Sequence, residues 1–355
     1  MILPVRDEEQ NLRAAVEQVL KQVYPGPYEV VLAVGPSRDR TQELAEELAA
    51  GDSRVQVVDN PSGRTPVALN RAVAAAQHDI LVRVDGHSEI ALDYVARAVQ
   101  TLLATGAANV GGMMVPVGTT PFEQAVARAM SRPLGIGVAS FHTGGVAGPA
   151  PTVYLGAFRR DALERVGGFD EYFVRAQDWE LNHRLRKAGE VVWFDPELAV
   201  TYRPRGTWSA LAGQFFRTGQ WRRQVIQHYP ETVSARYLAP PAAVLGVVVG
   251  AIAAVVGATI GPRWLLVGAA GPLGYGTFVA VASATMGQRL VTAARCRLPA
   301  VVAIMQMAWG TGFLRGVRPA VGNAQVEDRY PGSVHQGGPD RQNGPGNRRR
   351  TATED

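Results

Sequence analysis

Short apolar runs and amphipathic segments alternate along the first third of the chain. Residues 29–34, 54–59, 79–84 and 109–115 are dense in valine, leucine and other apolar side chains and read as strands. Between them, 8–22, 39–50, 65–77 and 92–104 carry apolar residues at helical spacing, and Asp39 stands where it can cap the second of these helices. Strands alternating with helices of this length predict βαβ units and a mostly parallel sheet, an α/β fold. Residues 1–3 look like the tail of a strand, shorter than the ~5–6 residues usual, which places the true start a few residues upstream.

Glycine and proline break the pattern over 131–151, a loop long enough to suggest a functional segment. A strand at 152–158, a helical turn, a helix through 181–188, strands at 191–194 and 198–202, and an arginine-bearing helix at 208–228 follow. Composition then changes at Tyr237. Residues 238–261 and 264–288 hold no charged side chain, with Arg263 between them, and each exceeds the ~20 residues of a membrane span. A buried hairpin of a water-soluble domain is the competing reading. The shorter 298–314 reads either as a third span or as an interfacial helix.

Arg222, Arg223 and Arg236 precede the first apolar stretch, and Arg289, Arg295 and Arg297 follow the second. This bias puts the N-terminal part on the cytoplasmic side of a membrane in a multi-pass topology, a side that Arg315 and Arg318 also prefer. Residues 322–355 are polar and rich in glycine and proline, with Arg348 to Arg350 near the end, and read as a disordered tail. The chain thus divides into 1–236, a membrane segment 237–318 and a tail 319–355. No basic stretch followed by an apolar run opens it, so no secretory leader is read.

The 355 residues suffice for a full-sized core, and one cysteine, Cys296, excludes an internal disulfide framework or a cysteine-rich zinc site. Net charge is +5, and only Lys21 and Lys187 are lysines. The arginines form no stripe with interleaved aromatics, so no nucleic-acid partner is expected.

Three stretches carry candidate chemistry. The strand ending Arg83-Val-Asp-Gly-His87 places Asp85 beyond a strand's carboxyl end, where open parallel sheets bind ligands. A carboxylate there suits Mg²⁺, and the imidazole of His87 is acceptable to Mn²⁺; a plain turn closing a strand is the alternative. Asp178 and Glu180 open a helix, either complementing its dipole or supplying a general base. Arg217 and Trp221 lie one helical turn apart, suited to diphosphate contact or to interface anchoring.

Pro4-Val-Arg-Asp-Glu-Glu-Gln-Asn-Leu12, Ser37-Arg-Asp-Arg-Thr41, Asn60-Pro-Ser-Gly-Arg64, Val84-Asp-Gly-His87, Gln177-Asp-Trp-Glu-Leu181 and Gln214-Phe-Phe-Arg217 occur in this order. The set resembles that of glycosyltransferase family 2, and within it the succinoglycan-type bacterial membrane glycosyltransferases, over about residues 1–230. The resemblance implies a GT-A fold with a nucleotide-sugar-binding, mostly parallel sheet, followed by C-terminal transmembrane helices. It implies inverting transfer that depends on Mg²⁺ or Mn²⁺. Pro4, Val5, Arg6 and Glu8 would border the nucleotide, Arg64 its base or phosphates, and Asp85 the metal as first acid of the family's Asp-X-Asp motif. His87 stands where the second acid usually is. Asp178 matches the catalytic base, with Glu180, Arg217 and Trp221 toward diphosphate and acceptor; Trp221 falls three residues later than in the family's Gln-X-X-Arg-Trp signature. Ala33 to Pro36 replace a stretch where relatives often carry two acids.

The expected function is transfer of a sugar from a nucleotide diphosphate sugar to a lipid-linked or other saccharide hydroxyl in cell-envelope or exopolysaccharide synthesis, at a membrane. Two alternatives stand beside it: a polyprenyl-phosphate sugar synthase, and a non-catalytic membrane assembly protein with a transferase fold.

Overall fold

The computed structural model describes residues 1–317. β1 (Ile2–Val5), α1 (Leu12–Leu20), β2 (Val30–Val34), α2 (Thr41–Gly51), β3 (Val55–Asp59), α3 (Thr65–Ala75) and β4 (Ile80–Arg83) alternate as the apolar pattern predicts. The short β5 (Glu89–Ile90), α4 (Tyr94–Thr105), β6 (Asn109–Pro116) and α5 (Pro121–Met130) follow. The glycine- and proline-rich stretch contains two single-turn helices, α6 (Pro133–Ile136) and α7 (Ser140–Thr143), and β7 (Gly148–Pro149). Next come β8 (Tyr154–Arg159), α8 (Arg160–Arg165), α9 (Gln177–Lys187), β9 (Val192–Tyr202) and α10 (Trp208–His228). After α11 (Ala235–Thr259), a 3-10 segment Arg263–Ala269 leads into α12 (Ala270–Met286), and α13 (Thr292–Arg315) ends the described chain. Arg318 and the expected tail 319–355, with Arg348 to Arg350, lie outside the described residues.

The sheet runs β3-β2-β1-β4-β8-β6-β9-β5, with β7 on β9. The β3-β2-β1-β4 half is parallel throughout, whereas β8 runs antiparallel between β4 and β6. The two strands expected at 191–194 and 198–202 are one continuous β9, whose parallel pairing to β6 shifts between Gly111 and Met113. That irregularity accounts for the apparent break in the sequence pattern. Because strand side chains alternate, Val30, Leu32 and Val34 face a core with Leu12, Val16 and Leu102. Val31 and Ala33 face a second core with Leu69, Leu163, Leu181 and Leu185. Helices therefore cover both faces, as a parallel sheet requires.

Strand order reverses at β1, with β2 and β3 on one side and β4 on the other. Such a switch leaves a crevice at the carboxyl ends of the strands, which here are Val5, Val34 and Arg83.

A third core joins Phe122, Val126 and Met130 of α5, Leu211 and Phe215 of α10, and Leu298, Val301, Val302 and Met305 of α13. Helices α10 and α13 cross with almost no gap. A Cβ on Gly219 would stand 2.0 Å from the carbonyl oxygen of Trp309, and one on Gly312 the same distance from that of Phe216. Of the described helical segments, Ala235–Thr259 and Arg263–Arg289 are long and apolar enough to cross a membrane, and both are mostly uncovered. α13 is not among them, and the buried face of this helix packs against α5 and α10.

Candidate active site

The loop leaving β1 is clamped from the β2 side. Asp7 has a left-handed backbone, φ 53°, a strained conformation for a residue with a Cβ. The Ser37-to-Thr41 motif holds it there. Asp7 N donates to Ser37 Oγ (3.1 Å), Glu8 N to Thr41 Oγ1 (2.8 Å), Glu9 N to Asp39 Oδ2 (3.1 Å), and Arg38 N to Asp7 Oδ1 (2.8 Å). Asp39 also accepts from Thr41 N, but the N-cap position of α2 is Arg40, without a side-chain cap, so the acid expected as a helix cap ties two loops instead. These bonds consume residues 7–9, and α1 begins at Leu12 instead of residue 8.

Glu8 is thereby aimed across the crevice at the end of β4. Its Oε1 lies 2.7 Å from His87 Nδ1, and Oε2 accepts from Asn11 at 3.0 Å. A Cβ on Gly86 would sit 3.3 Å from Glu8 Cγ, so glycine allows this close approach. Hydrogen bonding to Glu8 first, then the field of Asp85, raises the His87 pKa above its ordinary value against the opposing effect of burial. Arg6 donates to Gly63 O at 3.3 Å and Arg64 to Glu171 O at 3.3 Å. Pro4 and Val5 end the central strand beneath this rim.

At the centre is Arg83, whose side chain is 5% exposed. Its Nε donates to Asp85 Oδ1 at 2.9 Å, and its Nη1 donates to Asp178 Oδ1. Both carboxylates remain within reach of solvent, Asp85 19% and Asp178 30% exposed. Burial raises the Asp178 pKa above the ordinary aspartate value; Arg83 pulls it down, and the charge of Asp85 adds to the rise. Ala176, immediately before α9, is left-handed at φ 62°. That turn swings the first residues of α9 toward β4.

Glu180 is placed otherwise than expected. It is fully buried, accepting from Arg184 Nε (2.5 Å), Arg184 Nη2 (2.7 Å) and Tyr229 OH (2.7 Å). A carboxylate so enclosed braces α9 and does not face the crevice. Trp221 is likewise engaged in packing, its ring 5.8 Å from Tyr172 and 6.2 Å from Phe173. Arg217 is exposed on α10 and has company the sequence did not announce. Burial, then the nearby guanidiniums of Arg217 and Arg205, lower the pKa of Arg175. Arg205 also acts on His87, so Arg205 and Arg217 lie within electrostatic reach of Arg175, and Arg205 within reach of His87. Arg175 lies three residues before Asp178, and that adjacency was the signal available.

Residues 1–167 match the family model described as glycosyl transferase family 2. The succinoglycan biosynthesis protein ExoA of Rhizobium meliloti is 34% identical over 322 residues, covering 89% of this chain and 93% of that protein. The chain belongs to glycosyltransferase family 2. Glycosyltransferase AglE of Haloferax volcanii is 26% identical to this family 2 protein over 230 residues, 63% of the chain and 73% of the relative. Among solved structures, the mannosyltransferase PcManGT of Pyrobaculum calidifontis, in complex with GDP-Man and Mn²⁺, superposes with a TM-score of 0.54. It has 19% identity and covers 88% of this chain and 86% of that one. This family 2 chain therefore has the GT-A-like α/β fold its motifs imply.

No three or more His, Cys, Asp or Glu side chains converge among the described residues. Mg²⁺ needs no such cage, since one or two carboxylates, water and substrate phosphates complete its shell. Asp85 gives only Oδ1 to Arg83 and His87 only Nδ1 to Glu8, so the donor set fits a divalent cation held together with a diphosphate.

Proposed function

We propose that the protein is a membrane-anchored, inverting, metal-dependent glycosyltransferase of exopolysaccharide synthesis, moving a sugar from a nucleotide diphosphate sugar to a saccharide hydroxyl on a lipid-linked acceptor. The observation that carries this reading is the meeting of Asp85 and Asp178 on Arg83 at the strand-order reversal. The name of the ExoA relative supports the polysaccharide context. The two uncovered apolar segments support the anchor, with residues 1–236 as catalytic part and 237–318 as membrane segment on the cytoplasmic side of a bacterial cell membrane.

In this reading Pro4, Val5, Arg6 and Arg64 border the nucleotide, and Glu8 holds the His87 ring. Asp85 and His87 would hold Mg²⁺ or Mn²⁺, which when bound neutralises diphosphate charge. Asp178 accepts the proton of the acceptor hydroxyl through its free oxygen. The acceptor oxygen forms its bond to the anomeric carbon as the bond to the diphosphate breaks, the electron pair leaving with the diphosphate, on the face opposite attack. Arg217, joined by Arg175 and Arg205, offsets the charge that develops there. Holding donor and acceptor in one crevice removes much of the entropic barrier.

One observation favours the polyprenyl-phosphate synthase as second reading. Asp178 already gives one oxygen to Arg83, and a phosphate nucleophile needs no base. Incubating membranes containing the full chain with a panel of nucleotide sugars, Mg²⁺ or Mn²⁺, and lipid-linked saccharide or polyprenyl phosphate separates the two. Nucleotide diphosphate release with the saccharide acceptor and an inverted anomeric centre is expected. No release with any donor would reject a transferase.

A further inference from the structure

Trp179 follows Asp178 on α9, and its surroundings belong to a different cluster from the crevice. His183 stacks on it with ring centroids 5.5 Å apart and planes 5° from parallel. The Arg222 guanidinium of α10 lies 4.5 Å from the same ring and 4.3 Å from that of Tyr237 at the head of α11. Arg222 Nη1 is buried and has no hydrogen-bond partner among the described residues. Arg236 places its guanidinium 4.5 Å from the Tyr237 ring and donates to the Tyr237 hydroxyl. Ser234 Oγ is also buried without a partner, while the Ser234 carbonyl accepts from Tyr237 N at 2.9 Å.

Two guanidiniums thus flank the Tyr237 ring, Ser234 stands three residues before it, and among the described residues neither arginine forms an ion pair with a carboxylate. Glu231, the acid close by in sequence, is engaged by His183 at 3.1 Å and Lys187 at 4.0 Å. Burial, together with the charge of Arg236, lowers the Arg222 pKa, as an uncompensated cation should show. Leaving such donors unbound is costly, and an aromatic-stacked guanidinium is well suited to a phosphate oxygen pair. Ser234 caps no N–H of α11 with its side chain, so the positive end of a 25-residue helix adds to the same field.

We infer that Arg222, Arg236 and Ser234 form a binding site for the phosphate or diphosphate group of a membrane lipid at the head of the first apolar helix. The inference rests on the membrane-anchored reading, in which this helix start lies at headgroup depth. Trp179, next to Asp178 on α9, contacts the site through Arg222, and the lipid assigned to it is the acceptor. An anionic phospholipid headgroup has the same chemistry.

The test uses the full chain in an uncharged detergent, titrated with farnesyl phosphate, farnesol or dioleoylphosphatidylglycerol and followed by thermal stability. Farnesyl phosphate should raise Tm in a saturable way, and farnesol should not. Arg222→Gln should weaken the apparent affinity about 10- to 100-fold, as loss of a charged hydrogen bond does. Arg236→Gln, at an exposed position, should weaken it in the same direction and serves if Arg222→Gln folds poorly. A stronger response to farnesyl phosphate than to phosphatidylglycerol assigns the site to the acceptor, and an equal response assigns it to headgroups. Equal stabilisation by farnesol, or an unchanged titration in both arginine variants, overturns the site. Because this readout is binding, it is independent of transfer: nucleotide diphosphate release failing in the wild type rejects the transferase reading alone.

Discussion

Arg83 donates to Asp178 across 95 residues of sequence, and through its Nε it also holds Asp85. A single buried cation therefore fixes the distance between the acid suited to metal and the acid suited to take a proton. Either carboxylate without Arg83 would face the other's charge in a half-dry setting. The pair is stable because the guanidinium offers two N–H groups in a rigid fork.

Replacing that fork should be costly in two separable ways. Arg83→Met leaves two acids without their cation and should lower folding stability by about 3–5 kcal/mol, the usual consequence of removing one partner of a buried pair. Arg83→Lys keeps the charge but not the fork, so the protein should melt nearer to wild type while transfer falls. Denaturant melting alongside nucleotide diphosphate release measures both. Full transfer by the lysine variant would show that the shared fork is dispensable.

Asp178 carries a pH signature. Its pKa is raised, so the acid limb of kcat/KM should lie above the ~3.9 of an unperturbed aspartate, activity growing as the carboxyl ionises. The stability contribution has the opposite sign: a carboxyl that holds its proton more tightly when folded loses stability as pH rises through the raised pKa. Asp178→Asn should reduce transfer ~10²–10⁴-fold with little change in donor binding and should abolish that limb. Near-normal turnover would favour a phosphate acceptor.

Metal dependence should be lost in graded fashion. Asp85→Ala is expected to abolish both transfer and the metal-dependent part of nucleotide binding in calorimetric titration. His87→Ala should retain binding but lose any advantage of Mn²⁺ over Mg²⁺, imidazole being the ligand better matched to Mn²⁺. Intact metal-dependent binding in the Asp85 variant would remove that residue from the site.

Glu180→Gln should act on stability and spare chemistry. The variant leaves Arg184 without its buried carboxylate, for which a loss of about 3–5 kcal/mol is expected. Enzyme that remains folded should keep its KM for the donor. A collapse of kcat without a fall in Tm would return Glu180 to the reacting groups.

A fragment of residues 1–236 should aggregate. Without α13, Phe122, Val126, Leu211 and Phe215 lose the cover of Leu298, Val301, Val302 and Met305, and each large side chain re-exposed forfeits about 1.5–3 kcal/mol. Size-exclusion chromatography of the fragment against the full chain decides it. A monodisperse fragment would show that the apolar helices are separable.

The strand–helix alternation was legible because each βαβ unit is short and its strands are apolar on both faces. Asp85, Asp178 and Arg217 could be singled out as candidates for the same local reason, each lying in a compact motif. The Arg83 bridge was not, since nothing in sequence ties Arg83 to a helix 95 residues on. Glu180 was misplaced because two acids opening a helix look alike, although two positions turn a side chain by about 200°. Its spacing of four from Arg184 was the overlooked clue. The left-handed Asp7 and Ala176 were invisible, their conformations being imposed by long-range bonds or by the surrounding chain.

The glycine contacts at Gly219 and Gly312 leave backbone touching backbone between α10 and α13. No side chain intervenes there to flex. α10 also bears Arg217 and Arg222, and α13 follows directly on the two apolar segments. If those segments span a bilayer as proposed, a change of their tilt from bilayer thickness or lateral pressure reaches the arginines through this close backbone contact. On the proposed membrane-anchored reading, the lipid environment becomes a mechanical input to the helix assigned to the leaving group.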